Sequence, residues 1–330
     1  MLNRKLGKSN IKVSELGLGC WPIGGPFYSE GGQLSGFKTV NDEESTKALL
    51  TALDMGITFF DTSSVYGCGH SEVLLGKAFS RVRDQVVLAT KFGSIFDEET
   101  KRCIGNSVSP DFIRKSCEDS LRRLNTDYID LFQCHEWFVP LDEAGAVFET
   151  LDKLKEEGKI RTYGWSTDHP DLIDFFVKNT NGAVIQHQFN VLINADDILK
   201  VCDTYDLASI NRSPLAMGVL SGKYTNESPA IVGDIRSENI DWNFYYKDGK
   251  VNPLLLQRLG LIREVLTSEG RSLVQGALAW LWAKSNRTIP IPGFRTVEQV
   301  KELARAAEFG PLSENQVKQI DGIIEKIKIA

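Results

Sequence analysis

Short apolar runs, many of them β-branched, alternate along this chain with longer stretches in which apolar side chains return every three or four positions. The short runs predict eight strands, at residues 15–19, 58–61, 86–91, 128–135, 160–166, 183–186, 207–211 and 287–290. Runs that are almost continuously apolar, such as Val86 to Ala89, suit strands buried on both faces of a parallel sheet. Helices are predicted between them at 42–55, 71–79, 110–124, 141–157, 171–178, 196–205 and 296–307. In the first of these Ala48, Leu49, Ala52 and Leu53 share a face, and Asn41 and Glu44 have the spacing of a capping box. Ser109 and Pro110 supply an N-cap and a first-turn proline for the third.

Eight β/α units in a row, without a linker, predict a single-domain (β/α)8 TIM barrel over residues 1–330. A doubly wound dinucleotide fold would place G-x-G-x-x-G between a strand and a helix. The run from Gly17 has Pro22 at the third glycine position, and the run from Gly67 has Glu72 there. Four segments fall outside the repeat. Residues 3–14 read as a hairpin under the barrel, and 313–329 as an extra C-terminal helix with Val317, Ile320, Ile324 and Ile327 on its stripe. Residues 22–41 and 213–252 read as long loops after strands one and seven, on the face where barrels carry their chemistry.

Composition narrows the function classes. With 330 residues, 42% of them hydrophobic, the chain can bury a core without staples. A net charge of -6 argues against nucleic-acid or anionic-membrane partners. Six scattered cysteines without a C-x-x-C pair argue against a disulfide scaffold or zinc ribbon, and no metal site is expected. No apolar run is long enough to span a bilayer, and the first residues lack a signal-peptide core, so a cytoplasmic location is expected.

Reading off the C-terminal ends of consecutive strands gives Asp61, Lys91 and His135, with Tyr66 in the loop five residues after Asp61. An acid, an amine, an imidazole and a phenol thus meet at one mouth. A lysine held by a carboxylate favours ionisation of a neighbouring phenol, and a neutral histidine can donate a hydrogen bond to a carbonyl oxygen. Together they would deliver a proton to that oxygen as its carbon accepts a hydride. Each alone has a plainer reading: a loop cap for Asp61, a rim residue for Tyr66, an edge charge for Lys91, a buried histidine for His135. Rival motifs fail. The run from Gly164 to Asp168 lacks the final glycine of a nucleophile elbow. No second histidine follows His135-Glu136 at zincin spacing.

These residues resemble the aldo-keto reductase superfamily over nearly the whole chain. Phe60 through Glu72 is similar to its segment bearing the active-site Asp and Tyr. Thr90 through Gly93 resembles the lysine segment, and Asp130 through His135 the histidine segment. Ser213 through Tyr224 is similar to the cofactor loop, and Ile289 through Gly293, running on to Arg295 and Gln299, to the dinucleotide-phosphate segment. The resemblance implies an enzyme binding NADP(H), with NAD(H) as the alternative, and reducing a small-molecule aldehyde or ketone. Tyr66 would be the general acid, tuned by Lys91 paired with Asp61, and His135 would position the carbonyl. Ser166, Thr167 and Gln186 would hold the nicotinamide amide, with Cys20, Trp21 and Asp61 beside it. Ser213, Pro214, Leu215, Gly218 and Lys223 would cover the pyrophosphate. Gly293, Arg295, Gln299 and Glu302 would meet the adenosine end, with Arg295 on the 2′-phosphate. Arg212 stands where many members stack an aromatic on nicotinamide, and Leu303 where an Asn often reads adenine. Substrate would contact Trp21, Tyr66, His135 and Trp137, with Trp242–Tyr246 as a further aromatic wall. Two other readings stay open: a sugar or alcohol dehydrogenase running oxidatively, and a cofactor-sensing regulatory subunit.

Overall fold

A computed structural model describes residues 1–326. Eight parallel strands follow one another in chain order around a barrel. They are β1 (Gly17–Gly19), β2 (Phe59–Asp61), β3 (Val87–Phe92), β4 (Ile129–Cys134), β5 (Ile160–Ser166), β6 (Val184–Gln188), β7 (Ala208–Arg212) and β8 (Thr288–Pro290). Each predicted strand is present, with ends displaced by two residues at most. The ring closes where the Gly19 N–H donates to Pro292 O at 3.0 Å and Gly19 bridges Gly293. A Cβ on Gly19 would lie 2.7 Å from Ile291 O, and one on Gly17 2.5 Å from the Phe59 ring. Closure therefore needs glycine at both positions.

The helices that cover the barrel are α1 (Asp42–Asp54), α2 (His70–Phe79), α3 (Pro110–Leu124), α4 (Leu141–Glu156), α5 (Pro170–Asn179), α6 (Asp196–Thr204), α7 (Pro253–Leu266), α8 (Leu273–Lys284) and α9 (Val297–Arg305). Asn41 caps α1 by accepting the Glu44 N–H, and Ser109 caps α3 by accepting that of Phe112. The terminal helix α10 (Glu314–Ile324) starts at Ser313 in a full capping box with Gln316. It runs to Ile324; residues 327–329 of the predicted helix, Ile327 among them, lie outside the described residues.

Below the barrel, Asn3–Lys5 pairs antiparallel with Lys12–Ser14, as predicted. Leu6, Ile11 and Val13 from this hairpin pack with Phe59, Val87, Leu131, Val184, Ile210 and Ile289. The lower end is thus a plug rather than an opening. Above, the two long loops meet each other. The Lys38 N–H donates to Gly233 O, the Ile235 N–H donates to Gly36 O, and Phe37 bridges Asp234. The Arg236 guanidinium lies 5.8 Å from the Phe37 ring and is paired with Asp234. One device was not anticipated: a hairpin of Ser94–Asp97 and Arg102–Asn106 rises from the end of β3. Helices α7 and α8 were not among the predicted helices either.

Candidate active site

The end of β2 carries Asp61, buried at 2% exposure, and the interior face of β3 carries Lys91, at 0%. The Lys91 ammonium donates to Asp61 Oδ1 and, at 2.8 Å, to Thr62 O. It stands 5.2 Å from the centre of the Tyr66 ring. Asp61 Oδ2 accepts from Gln133 Nε2 at 3.1 Å and from Gln186 Nε2 at 2.8 Å. A buried carboxylate and ammonium are costly unless paired and fully hydrogen-bonded, and this set of donors meets that condition.

Tyr66 follows in the β2–α2 loop, fixed by Tyr66 N–H donation to Ser63 O. Its ring stacks on Trp21 at 6.0 Å and meets the His135 ring edge-on, also at 6.0 Å. Trp21 is held by donation from its indole N–H to Ser35 O at 3.0 Å, and Trp242 packs against it at 6.4 Å. His135 leaves β4 with Nδ1 3.1 Å from Ser63 Oγ. The structure thus brings Asp61, Tyr66, Lys91 and His135 to one mouth, as the strand-end reading predicts.

Electrostatics sets the proton inventory. Burial raises the Tyr66 phenol above its ordinary value, and the Lys91 charge only partly offsets this. Burial disfavours the charged Lys91, but Asp61 and Tyr66 outweigh it and hold the ammonium above its usual value. Burial, with the Lys91 and Arg212 charges, pushes His135 well below its ordinary value. At neutral pH the site therefore presents a protonated phenol, an ammonium and a neutral imidazole.

The residues assigned to the cofactor fall into three groups. Cys20, Ser166, Thr167 and Gln186 are buried around the mouth, with Ser166 and Gln186 side by side in the β5–β6 register. Thr167 turns its hydroxyl to Trp137 O at 3.3 Å, and Gln186 spends its amide N–H on Asp61 and Gln133. Cys20 donates its Cys20 N–H to Asp61 O at 2.8 Å. In the loop after β7, Pro214 is buried, Leu215 and Gly218 are half-buried, and Lys223 is exposed. Ser213, Ala216 and Met217 all adopt left-handed backbone, with φ of 52°, 50° and 51°. Such strain in non-glycine residues concentrates at ligand-binding loops. At the far end, a cavity of about 440 Å³ opens between Pro22, Asn41, Glu44, Arg295, Thr296 and Gln299. Gly293 precedes it on the surface, and Gln299 Oε1 accepts the Arg295 N–H at 2.8 Å. Glu302 is half-buried, while Leu303 points into the core and away from any cleft.

Arg212 does not lie free for ring stacking. It is paired with Asp168 and sits 5.5 Å over the Trp137 ring, itself edge-on to His169 at 5.2 Å. Phe244 stacks on Tyr245 within its own loop, and the Tyr245 hydroxyl accepts from Gln188 and Asn190. Sequence reasoning missed Ser63, Gln133 and Asp168. Gln133 was open to discovery, because it lies two positions before His135 on the same strand and so shares its face.

Residues 15–325 match the sequence profile of the Aldo/keto reductase family. An aldo-keto reductase of Schizosaccharomyces pombe, yakc, designated for NADP(+), is 30% identical and matches 99% of this chain and 90% of its own. An NADH-specific methylglyoxal reductase of Escherichia coli is 31% identical, covering 90% of each chain. Among solved structures, the glycerol dehydrogenase of Gluconobacter oxydans superposes with a TM-score of 0.81 at 28% identity, covering 99% of this chain and 97% of that one.

Proposed function

Since the chain belongs to the aldo/keto reductase family, we propose that it is an NADP(H)-linked reductase of aldehydes or ketones with Tyr66 as general acid. The observation that carries this reading is the convergence of a protonated Tyr66, a neutral His135 and the buried Lys91–Asp61 pair around one mouth. The donor set along the groove fits the cofactor. Ser166 and Gln186 match an amide, the left-handed turn from Ser213 to Gly218 sits where a pyrophosphate would pass, and Arg295 beside the start of α9 matches a phosphate. When bound, the reduced cofactor supplies the hydride that the carbonyl carbon accepts.

The protein's own groups handle the oxygen. In the tautomer in which the Ser63 hydroxyl donates to His135 Nδ1, the imidazole proton resides on Nε2 and is free to donate to a carbonyl oxygen. The Tyr66 O–H donates to the same oxygen. As negative charge grows there, the Tyr66 proton transfers to it, leaving an alcohol and a phenolate that the Lys91 charge stabilises. Gln133 and Gln186 hold Asp61, which in turn keeps Lys91 in place. The likeness to a glycerol dehydrogenase supports a second reading, in which the same groups run in reverse on an alcohol.

The test is turnover of NADPH with a panel of aldehydes, methylglyoxal included, in wild type and in Tyr66→Phe. The variant is expected to lose about 10²–10⁴-fold in kcat with little change in NADPH affinity. Retention of more than about a tenth of wild-type kcat removes Tyr66 from the acid role.

A further inference from the structure

The cavity beside α9 contains two opposed charges. On one wall Arg295 donates a guanidinium N–H to Thr39 O and lies 5.7 Å from the Phe37 ring. On the other, Glu44 from the first turn of α1 reaches across and accepts the Val297 N–H of α9 at 2.8 Å. The Glu44 carboxylate therefore occupies the seat that the start of α9 offers to an anion. Glu44 is fixed there from both ends, because its own N–H donates to the Asn41 cap at 3.0 Å.

We propose that Glu44 is a specificity residue, a built-in anion that competes with a nucleotide 2′-phosphate for the α9 terminus in the cavity that Arg295 also lines, and so admits NAD(H) alongside NADP(H). This rests on the dinucleotide reading above. A 2′-phosphate entering the cavity has to displace the carboxylate from Val297 and then faces a like charge. A 2′-hydroxyl has no such conflict and donates to the same carboxylate. Arg295 and Glu44 thus pull in opposite directions, and the ratio of the two affinities reports their balance.

Calorimetric titration of the purified full chain with 2′,5′-ADP and with 5′-ADP separates the two, independently of turnover. Glu44→Gln keeps an oxygen for the Val297 N–H and removes the charge. It is expected to tighten 2′,5′-ADP by about tenfold at low salt, with 5′-ADP changed by less than about twofold. Glu44→Ala should tighten 2′,5′-ADP as well, and Arg295→Ala should weaken it selectively. Equal changes for the two nucleotides, or none, overturn the proposal. Binding of neither NADPH nor NADH by the wild type overturns the dinucleotide reading itself, and with it this one.

Discussion

Tyr66 and His135 owe their protonation states mainly to burial, and the consequence is a pH profile of a particular shape. The phenol sits above its ordinary value and the imidazole well below its own. The proposed reduction needs Tyr66 protonated and His135 neutral, so kcat/KM for an aldehyde should stay level from about pH 6 to about pH 9. It should fall only beyond that, as the phenol ionises. The oxidative direction needs the phenolate and should instead gain rate with rising pH. Initial rates across that range decide it; a descending limb near pH 7 for reduction would mean that another group controls the proton. The four side chains that converge at the mouth were legible in the sequence because each stands at, or just past, the end of a strand. The sign of the phenol's shift was not. Lysine proximity alone argues for a more acidic Tyr66, and only packing shows that burial wins. Arg212 teaches the same lesson. The sequence offers a stacking partner, whereas Asp168, its counter-charge, comes from the end of a different strand.

At the level of elements, the turn after β4 stores a cost that its sequence does not advertise. Glu136 follows His135 into the space beside Gly93, where a Cβ would come within 2.5 Å of Glu136 Oε1. Burial pushes the Glu136 carboxyl up to about 6. The folded state then binds this proton more tightly than the unfolded chain, so stability falls as pH rises from about 4.5 to about 6, and the full cost persists above. Glu136→Gln should be more stable than wild type at pH 8, by up to about 2 kcal/mol, and equal to it near pH 4. Thermal melts at the two pH values check this; equal stability at both would mean that the carboxyl is solvated in the folded protein. Strands and most helices were readable because burial on two faces or one leaves a plain apolar period. The hairpin of Ser94–Asp97 and Arg102–Asn106 was not. Its strands are only half covered, with residues 102–106 alternating between exposed and half-buried, and its turn is set by Asp97 Oδ1 accepting from Thr100 rather than by Gly or Pro. Helix α7 escaped for the opposite reason: Leu254, Leu255 and Leu256 blur its period.

Across the whole molecule, stability and chemistry are placed at opposite ends of one barrel. The mouth is roofed by two long loops that bond to each other, and every group proposed to react lies there. The floor is closed by the N-terminal hairpin, whose Leu6 is at 0% exposure inside the ring of strands, and whose Arg4 donates to Ser285 O just before β8. Barrel strands are rigid along their length, yet among the described residues the side-chain hydrogen bonds and ring contacts of Tyr66, Lys91 and His135 all lie at the mouth. Leu6→Ala removes apolar contacts from a site where the strands cannot collapse inward, because they are tied to one another around the ring. A loss of about 2–5 kcal/mol follows, which for a chain of this length lowers the melting temperature by about 3–7 °C. The same variant should keep kcat and NADPH affinity within about twofold of wild type at 25 °C, since its damage is confined to the far end. Melting curves and steady-state kinetics on one preparation provide both numbers. A large fall in kcat with an unchanged melting temperature would show that the floor positions the catalytic groups, and the division between the two ends would have to be abandoned.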